Sequence, residues 1–324
     1  MTGPRTAPGS IEIRPIRTTD EYRAVEELQR KVWRLEDMEI VPDHLLVTAN
    51  KNGGLLLGAF APTSKGPSSK GPSPKGPSSK GPSSIGSSPI EPSSTEPRSV
   101  EPLVGFVFGF VGLTADGVVK HCSHMMGVDP DFRDRGLGYR LKLAQREHVL
   151  EQGLDLITWT FDPLRSRNAN LNFRKLGVTC NTYLRNLYGD MRDGISGGLP
   201  SDRFQVAWRI ASQRVVLRLQ GDRPVQSLSE LLSGGVPILN PFSPGEVPRP
   251  PDDLMPVGGE WFLIQIPADF QAVRAADMAL AGAWRAHTRS LFEAAFAAGY
   301  TAVDLLFEEG RSCYLLRRNQ DRED

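Results

Sequence analysis

Val128-Asp129-Pro130-Asp131-Phe132-Arg133-Asp134-Arg135-Gly136-Leu137-Gly138 decides how this chain folds. An apolar run ends at Val128, a proline turn follows, and two glycines open a segment with Leu137, Leu141 and Ala144 at helical spacing. The order is strand, glycine loop, helix. Glycine at 136 and 138 lets the backbone adopt conformations closed to other residues and lets a ligand approach closely. The exposed N–H groups of such a loop and of the helix start form an anion site suited to phosphate. Arg133, Arg135 and Arg140 add positive charge around it. A glycine pair before a helix also serves plain helix entry, so both readings stand at this point. No Gly-Lys-Ser/Thr follows, which excludes a nucleotide P-loop, and Leu141 occupies the third glycine position of the dinucleotide fingerprint.

Outward from the loop, strands and helices alternate. Ile11–Ile16 reads as a strand, Asp20–Trp33 as a helix capped by Thr18 or Thr19, and Val41–Asn50 as a shorter helix. Val118–Val128 is a strand, Gly136–Gln152 a helix and Leu154–Phe161 a strand. Asn168–Leu176 is a helix closed by Gly177, and Val178–Leu187 and Arg203–Ile210 are further strands. The sum is a mixed-sheet α/β domain over residues 11–210.

One tract breaks this order. Residues 61–102 hold 10 of the chain's 26 prolines, 13 serines and four apolar residues, and Ser64-Lys65-Gly66-Pro67-Ser68 recurs with a period of five. Such residues bury too little apolar surface to offset chain entropy, so disorder or loose polyproline is expected. A docking or phosphorylation tract is one reading; slippage expansion of a surface loop is the favoured one, because exposed loops tolerate insertion at small cost. The flanking Leu55–Phe60 and Leu103–Phe110 become a hairpin once the insert is removed. Deleting residues 62–101 is therefore expected to leave the melting temperature and activity unchanged; a collapse of either would overturn the slippage reading.

Bulk composition narrows the function. Lys+Arg and Asp+Glu are both 38, so the electrostatic footprint of a nucleic-acid or membrane-surface binder is absent from the whole-chain charge. No apolar run reaches membrane-spanning length, and Met1–Ser10 lacks the apolar core of a secretory signal. Cys122, Cys180 and Cys313 are odd in number and widely spaced, which fits free thiols in a reducing compartment and a cytoplasmic location. His121, Cys122 and His124 cluster on one strand without a second cluster, so no metal is expected. His148 and His287 lie on helix packing stripes and read as core or boundary residues, while Asn168, Asn170 and Asn172 are explained equally by a site and by helix capping. Asp162-Pro163, just beyond a sheet strand, is an acceptor-site candidate.

Arg133-x-x-Gly136-x-Gly138, the Val128-Asp129-Pro130 lead-in and the Lys175-Leu176-Gly177 close together resemble the GNAT acyltransferases, whose hallmark is an Arg/Gln-x-x-Gly-x-Gly/Ala loop between the fourth strand and the third helix. The resemblance covers most of residues 11–210. It implies the GNAT fold and acyl-coenzyme A (acetyl-CoA or another acyl-CoA) as co-substrate. The pyrophosphate would lie on Arg133, Asp134, Arg135, Gly136, Leu137, Gly138 and Tyr139, and the pantetheine arm along Met126, Gly127 and Val128, where the two central strands splay. It further implies direct attack of an amine on the thioester, with a small amine or amino acid as acceptor and neither nucleic acid nor membrane as partner; a homodimer is left open.

The family often takes its leaving-group proton from a Tyr in the next helix, where this chain has Phe173, and a coenzyme-contacting Asn is replaced by Ser166. Tyr188 and Tyr183 are the substitutes, Tyr188 first, and His124 is a candidate base for the amine; each has an ordinary structural explanation as well. The missing Tyr also keeps a second class in view, a non-catalytic acyl-CoA-binding sensor or scaffold. A third reading is a protein-modifying acetyltransferase.

Residues 211–324 restart the pattern after a proline-rich loop. Trp261–Ile266, Thr301–Phe307 and Ser312–Arg317 read as strands around a long helix striped by Leu280, Trp284, His287, Leu291, Ala295 and Ala298. Ile266-Pro267-Ala268-Asp269-Phe270 echoes the 128–132 lead-in, with 29 residues from Phe270 to Gly299 against 21 from Phe132 to Gly153. A degenerate second GNAT-like unit and a chance likeness are both consistent with this. Without a Gly-x-Gly it is expected to cover the sheet edge or shape the acceptor pocket.

Overall fold

The computed structural model describes residues 10–33, 39–62, 101–189, 198–222, 226–243, 245, 247–252 and 254–319. The repeat tract at 63–100 lies outside them. Its flanks do pair: β2 (Leu55–Phe60) runs antiparallel to β3 (Leu103–Leu113) with Leu55 opposite Gly109, and the Ala61 N–H donates to the Pro102 carbonyl at 2.9 Å. The hairpin expected across the insert is present, and residues 62 and 101 emerge side by side at its end.

Seven strands form one mixed sheet in the order β1-β2-β3-β4-β5-β7-β6. The remaining members are β1 (Glu12–Pro15), β4 (Val119–Val128), β5 (Leu156–Phe161), β6 (Tyr183–Leu184) and β7 (Arg203–Arg209). All neighbours are antiparallel except β4 and β5. A parallel pair needs a crossover, supplied by α3 (Leu137–Glu151). On the opposite face α1 (Thr19–Trp33) and α2 (Asp43–Lys51) bury Val25, Leu28 and Leu46 against Phe60, Phe106 and Phe108.

A second sheet, β8-β10-β9, is built from β8 (Trp261–Ile266), β9 (Tyr300–Glu308) and β10 (Arg311–Arg318). β10 lies between β8 and β9, so the strands that echo β4 and β5 are separated and leave no parallel gap for a ligand arm. The expected long helix is α8 (Met278–Ala297), and a short helix, α7 (Phe270–Ala276), precedes it. Asp277 divides them with extended backbone, and its carboxylate caps the Leu280 N–H at 3.0 Å. Two short helices, α5 (Gln213–Gln220) and α6 (Leu228–Ser233), join the sheets.

The strand expected over residues 178–187 is broken, for a reason that joins the two sheets. Thr179 exchanges backbone hydrogen bonds with Ala207 of β7, and Cys180 with Ala302 of β9. The segment is thus shared between two neighbours, and only Tyr183–Leu184 remains as regular strand beside β7. One core fills the junction: Phe204 packs edge-on to Phe292 (4.7 Å between ring centres) and Tyr314 (5.5 Å), all fully buried. Each such ring contributes about 2–3 kcal/mol by burial.

Charged pairs also cross the junction. Arg285 of α8 grips Asp162, at the end of β5, through two 2.7 Å bonds. One turn on, Arg289 grips Asp202, which also accepts from the Tyr183 hydroxyl. Asp162 is thereby committed to the junction rather than open to an acceptor.

Candidate active site

β4 and β5 share only two rungs, His121 opposite Ile157 and Cys122 opposite Thr158. Beyond them β4 stays bonded to β3 as far as Val128, while β5 stays bonded to β7 as far as Phe161. The two central strands therefore part, and the β4 edge from Ser123 to Val128 has no β5 partner. A bulge adds to this. Phe108 pairs with Met125 but Gly109 pairs with Ser123, which leaves His124 as the extra residue. The extra residue resets the alternation. Met126 and Val128 turn to the α3 side, among Leu137 and Leu141, while Met125 packs with the α1 core.

The glycine loop stands at the mouth of this split. Asp134 and Gly136 both hold left-handed backbone, at φ 64° and 71°. For an aspartate that conformation is uncommon and is characteristic of binding loops. Gly136 caps α3, and the first helical bond runs from the Arg140 N–H to the Gly136 carbonyl, so the N–H groups of 137–139 carry no helical bond. A Cβ built on Gly136 meets nothing within 4 Å, and Gly136 lines a cleft. That cleft, about 750 Å³, is lined by Met126, Val128, Arg133, Asp134, Gly136, Leu137, Gly138 and Tyr139. The αL nest, the helix start and the size of the cavity fit the pyrophosphate and arm of a coenzyme A thioester.

Two residues expected at the coenzyme lie outside the lining. Gly127 faces the other side, where a Cβ would meet Phe106 and Trp33. The Arg135 guanidinium lies over the Phe132 ring and donates to the Asp131 carbonyl. The opposite wall holds residues that the sequence reading assigned elsewhere or passed over: Arg165, Arg167, Asn168, Asn170 and Lys175, with Arg167 paired to Asp134. Arg165 is the N-cap of α4 (Ser166–Ala169), and the others sit on α4 and on the π-helical turn Asn170–Leu176 that continues it. The α4 and π-turn starts have no side-chain cap, and Asn168 and Asn170 face the cleft. A π-turn is itself a frequent mark of a functional site. Ala268, Asp269, Phe270 and Gln271 close a further side.

Tyr188 and His124 do not line this cleft. His124 packs against the Phe108 and Phe110 rings, about 6 Å between centres, on the α1–α2 side of the sheet; the partial desolvation holds its pKa below the ordinary histidine value. Thr160 lies two residues beyond Thr158, which faces Cys122, and so shares that side. Its hydroxyl meets the Tyr188 hydroxyl at 2.9 Å. His124 on β4 and the Tyr188 hydroxyl, held from the turn after β6 against Thr160 of β5, thus flank the split on the face opposite α3. Tyr183 is half-buried and bonded to Asp202; desolvation, with that carboxylate, pushes its pKa far up. Phe173 is fully buried between Phe161 and Tyr314, and the Ser166 hydroxyl meets that of Ser312 at 2.7 Å. Among the described residues no group of three His, Cys, Asp or Glu is placed to hold a metal, and no helix is long and apolar enough to cross a membrane.

An open mixed α/β sheet, parted at its one parallel pair, with a glycine loop at the parting, is the arrangement that the resemblance to the GNAT acyltransferases implies. No family model and no curated protein matches the chain. Solved structures similar in fold include the ribosomal-protein-S18-alanine N-acetyltransferase from Escherichia coli, at 14% identity and TM-score 0.38 over 63% of this chain and 96% of that one. Arabidopsis thaliana NAA60 in complex with a bisubstrate analogue is 12% identical, with TM-score 0.41 over 61% and 98%. An acetyltransferase of the GNAT family from Streptococcus pneumoniae gives the same identity, TM-score and shares.

Proposed function

We propose that this protein is an acyl-CoA-dependent N-acyltransferase that transfers an acetyl or other short acyl group to a small amine or amino acid. Residues 11–210 are its acyltransferase domain and residues 211–324 an α/β extension. The observation that carries the reading is the left-handed loop at Asp134 and Gly136 at the mouth of the parted β4–β5 pair. Phosphates bind on the loop and the first turn of α3, and the arm adds along the free β4 edge. The thioester then lies in the split, where a β4 backbone N–H polarises its carbonyl. The amine reaches it from the α1–α2 face. There His124 takes the proton that the ammonium must lose, and Tyr188 supplies one to the departing thiolate.

Phe173 favours a second reading, coenzyme binding without turnover, because the buried ring carries no proton to donate. Thiol release from acetyl-, succinyl- and longer acyl-CoA across a panel of amines and amino acids separates the two. Turnover with at least one pair supports the transferase; micromolar coenzyme binding with no turnover supports the sensor. Tyr188→Phe is expected to lower kcat by about 10²-fold, the ordinary contribution of an acid catalyst. An unchanged kcat would exclude Tyr188 from proton transfer.

A further inference from the structure

The α3 side of the split holds a base that the reaction above does not use. Lys142 is 3% exposed, and among the described residues no carboxylate pairs with it. Its Nζ donates to Ser123 Oγ at 2.8 Å and Gln145 Oε1 at 3.1 Å, and lies 3.8 Å from the centre of the Trp159 ring. Ser123 and Trp159 are the residues immediately past the last β4–β5 rung, Cys122–Thr158. The amine therefore bridges the two strands where they part, at the apex of the slot. It also lies one turn along α3 from Gly138, on the same helix face, about 6 Å of axial rise from the loop.

The surroundings disfavour the charged form of this amine. Desolvation brings its pKa down to about 7, against about 10.4 for a free lysine. The groups around it add no negative charge. Gln145 Nε2 donates to His121 Nε2, so His121 is neutral with its proton on Nδ1, which is buried without a partner; burial, then the charges of Lys142 and His148, bring it down to about 4. His148 presents another buried, unpartnered ring nitrogen. A desolvated neutral lysine is a nucleophile.

We propose that Lys142 is a self-acylation site, in which its Nζ takes the acyl group from an acyl-CoA thioester held in the slot. The inference rests on the acyl-CoA reading given above. The nitrogen lone pair forms a bond to the acyl carbon, the carbon–sulfur bond breaks, and the thiolate leaves with the proton that the nitrogen loses. The products are an Nζ-acyl-lysine and free coenzyme A. The amide suits its surroundings: its N–H keeps the bond to Gln145 Oε1, its carbonyl accepts from Ser123, and a buried base becomes a group that burial no longer penalises as a cation.

The test is peptide mapping of the full chain after incubation with acetyl-CoA at pH 7.5, an approximate physiological pH. Trypsin does not cut after an acylated lysine, so the product peptide is Leu141–Arg146 carrying one acetyl group. Lys142 is expected to label roughly tenfold or more faster than exposed Lys51, because burial disfavours its charged form and the cleft delivers the thioester to it. Its labelling rate should level off above about pH 7–8. Gly136→Trp, which blocks the cleft, should abolish labelling at Lys142 and leave Lys51 unchanged. Absent or surface-like labelling of Lys142 in a protein that binds coenzyme A overturns the proposal and leaves the acyl-CoA reading standing. Failure of the wild-type chain to bind coenzyme A overturns both.

Discussion

Arg285→Met is expected to cost about 3–5 kcal/mol of folding stability at pH 7, the usual result of leaving a buried carboxylate without its partner. Asp162 and Arg285 are both almost wholly buried and joined by two 2.7 Å bonds. Burial by itself would push the Asp162 carboxyl up; the Arg285 guanidinium outweighs it, and the net pKa lies below the usual aspartate value. A depressed carboxylate contributes stability that is complete above its unfolded pKa and is lost as pH falls through the lower folded value. In Arg285→Met the sign reverses. The unpaired carboxyl then prefers its protonated form, and the loss grows as pH rises from about 4 to 7. Urea denaturation at pH 4 and pH 7 reads both effects. A loss near zero at pH 7 would show that α8 does not hold the end of β5. Asp162→Leu with Arg285→Met should recover much of the loss, because an apolar pair leaves no charge stranded.

Gly136→Trp is expected to weaken coenzyme A binding by at least about 100-fold. The glycine sits at φ 71° with open space where its Cβ would be; a side chain there costs about 1–2 kcal/mol of backbone strain and projects into the cleft. Displacing the phosphates from two loop N–H groups removes about 1.5–3 kcal/mol for each charge-assisted bond, and 2.7 kcal/mol is already about 100-fold. Gly117 provides the control, since it has the same left-handed backbone (φ 83°) and open space but lies in the β3–β4 turn, outside the cleft. Gly117→Trp should share the strain and keep the affinity. Equal loss in both variants would assign the effect to folding.

What could be read from the sequence was local. The glycine loop announces itself because glycine takes left-handed backbone without strain and lets a ligand approach closely. The β2–β3 hairpin was legible because two apolar runs flank the proline- and serine-rich repeat and pair once the repeat is set aside. The features that were missed depend on partners distant in sequence. The bulge at His124 exists only relative to β3. Residues 178–187 alternate like a strand, yet their bonds divide between β7 and β9. Asp162 reads as a ligand residue until Arg285, 123 positions on, takes both of its oxygens. Lys142 was hidden in a different way: the α3 apolar stripe at Leu137, Leu141 and Ala144 assigns lysine to solvent, and only the parting of β4 and β5 makes room for it inside. The cleft wall at Arg165, Arg167 and Lys175 carried a usable signal, four cations (Arg174 included) within eleven residues after a strand end.

The measurement that bears most directly on the central claim is a calorimetric titration of the full chain with coenzyme A, repeated with Gly136→Trp. The account predicts one site of micromolar affinity in the wild type and no measurable site in the variant. A wild-type chain that takes up no coenzyme A, or a variant that binds it as well as the wild type does, would contradict it.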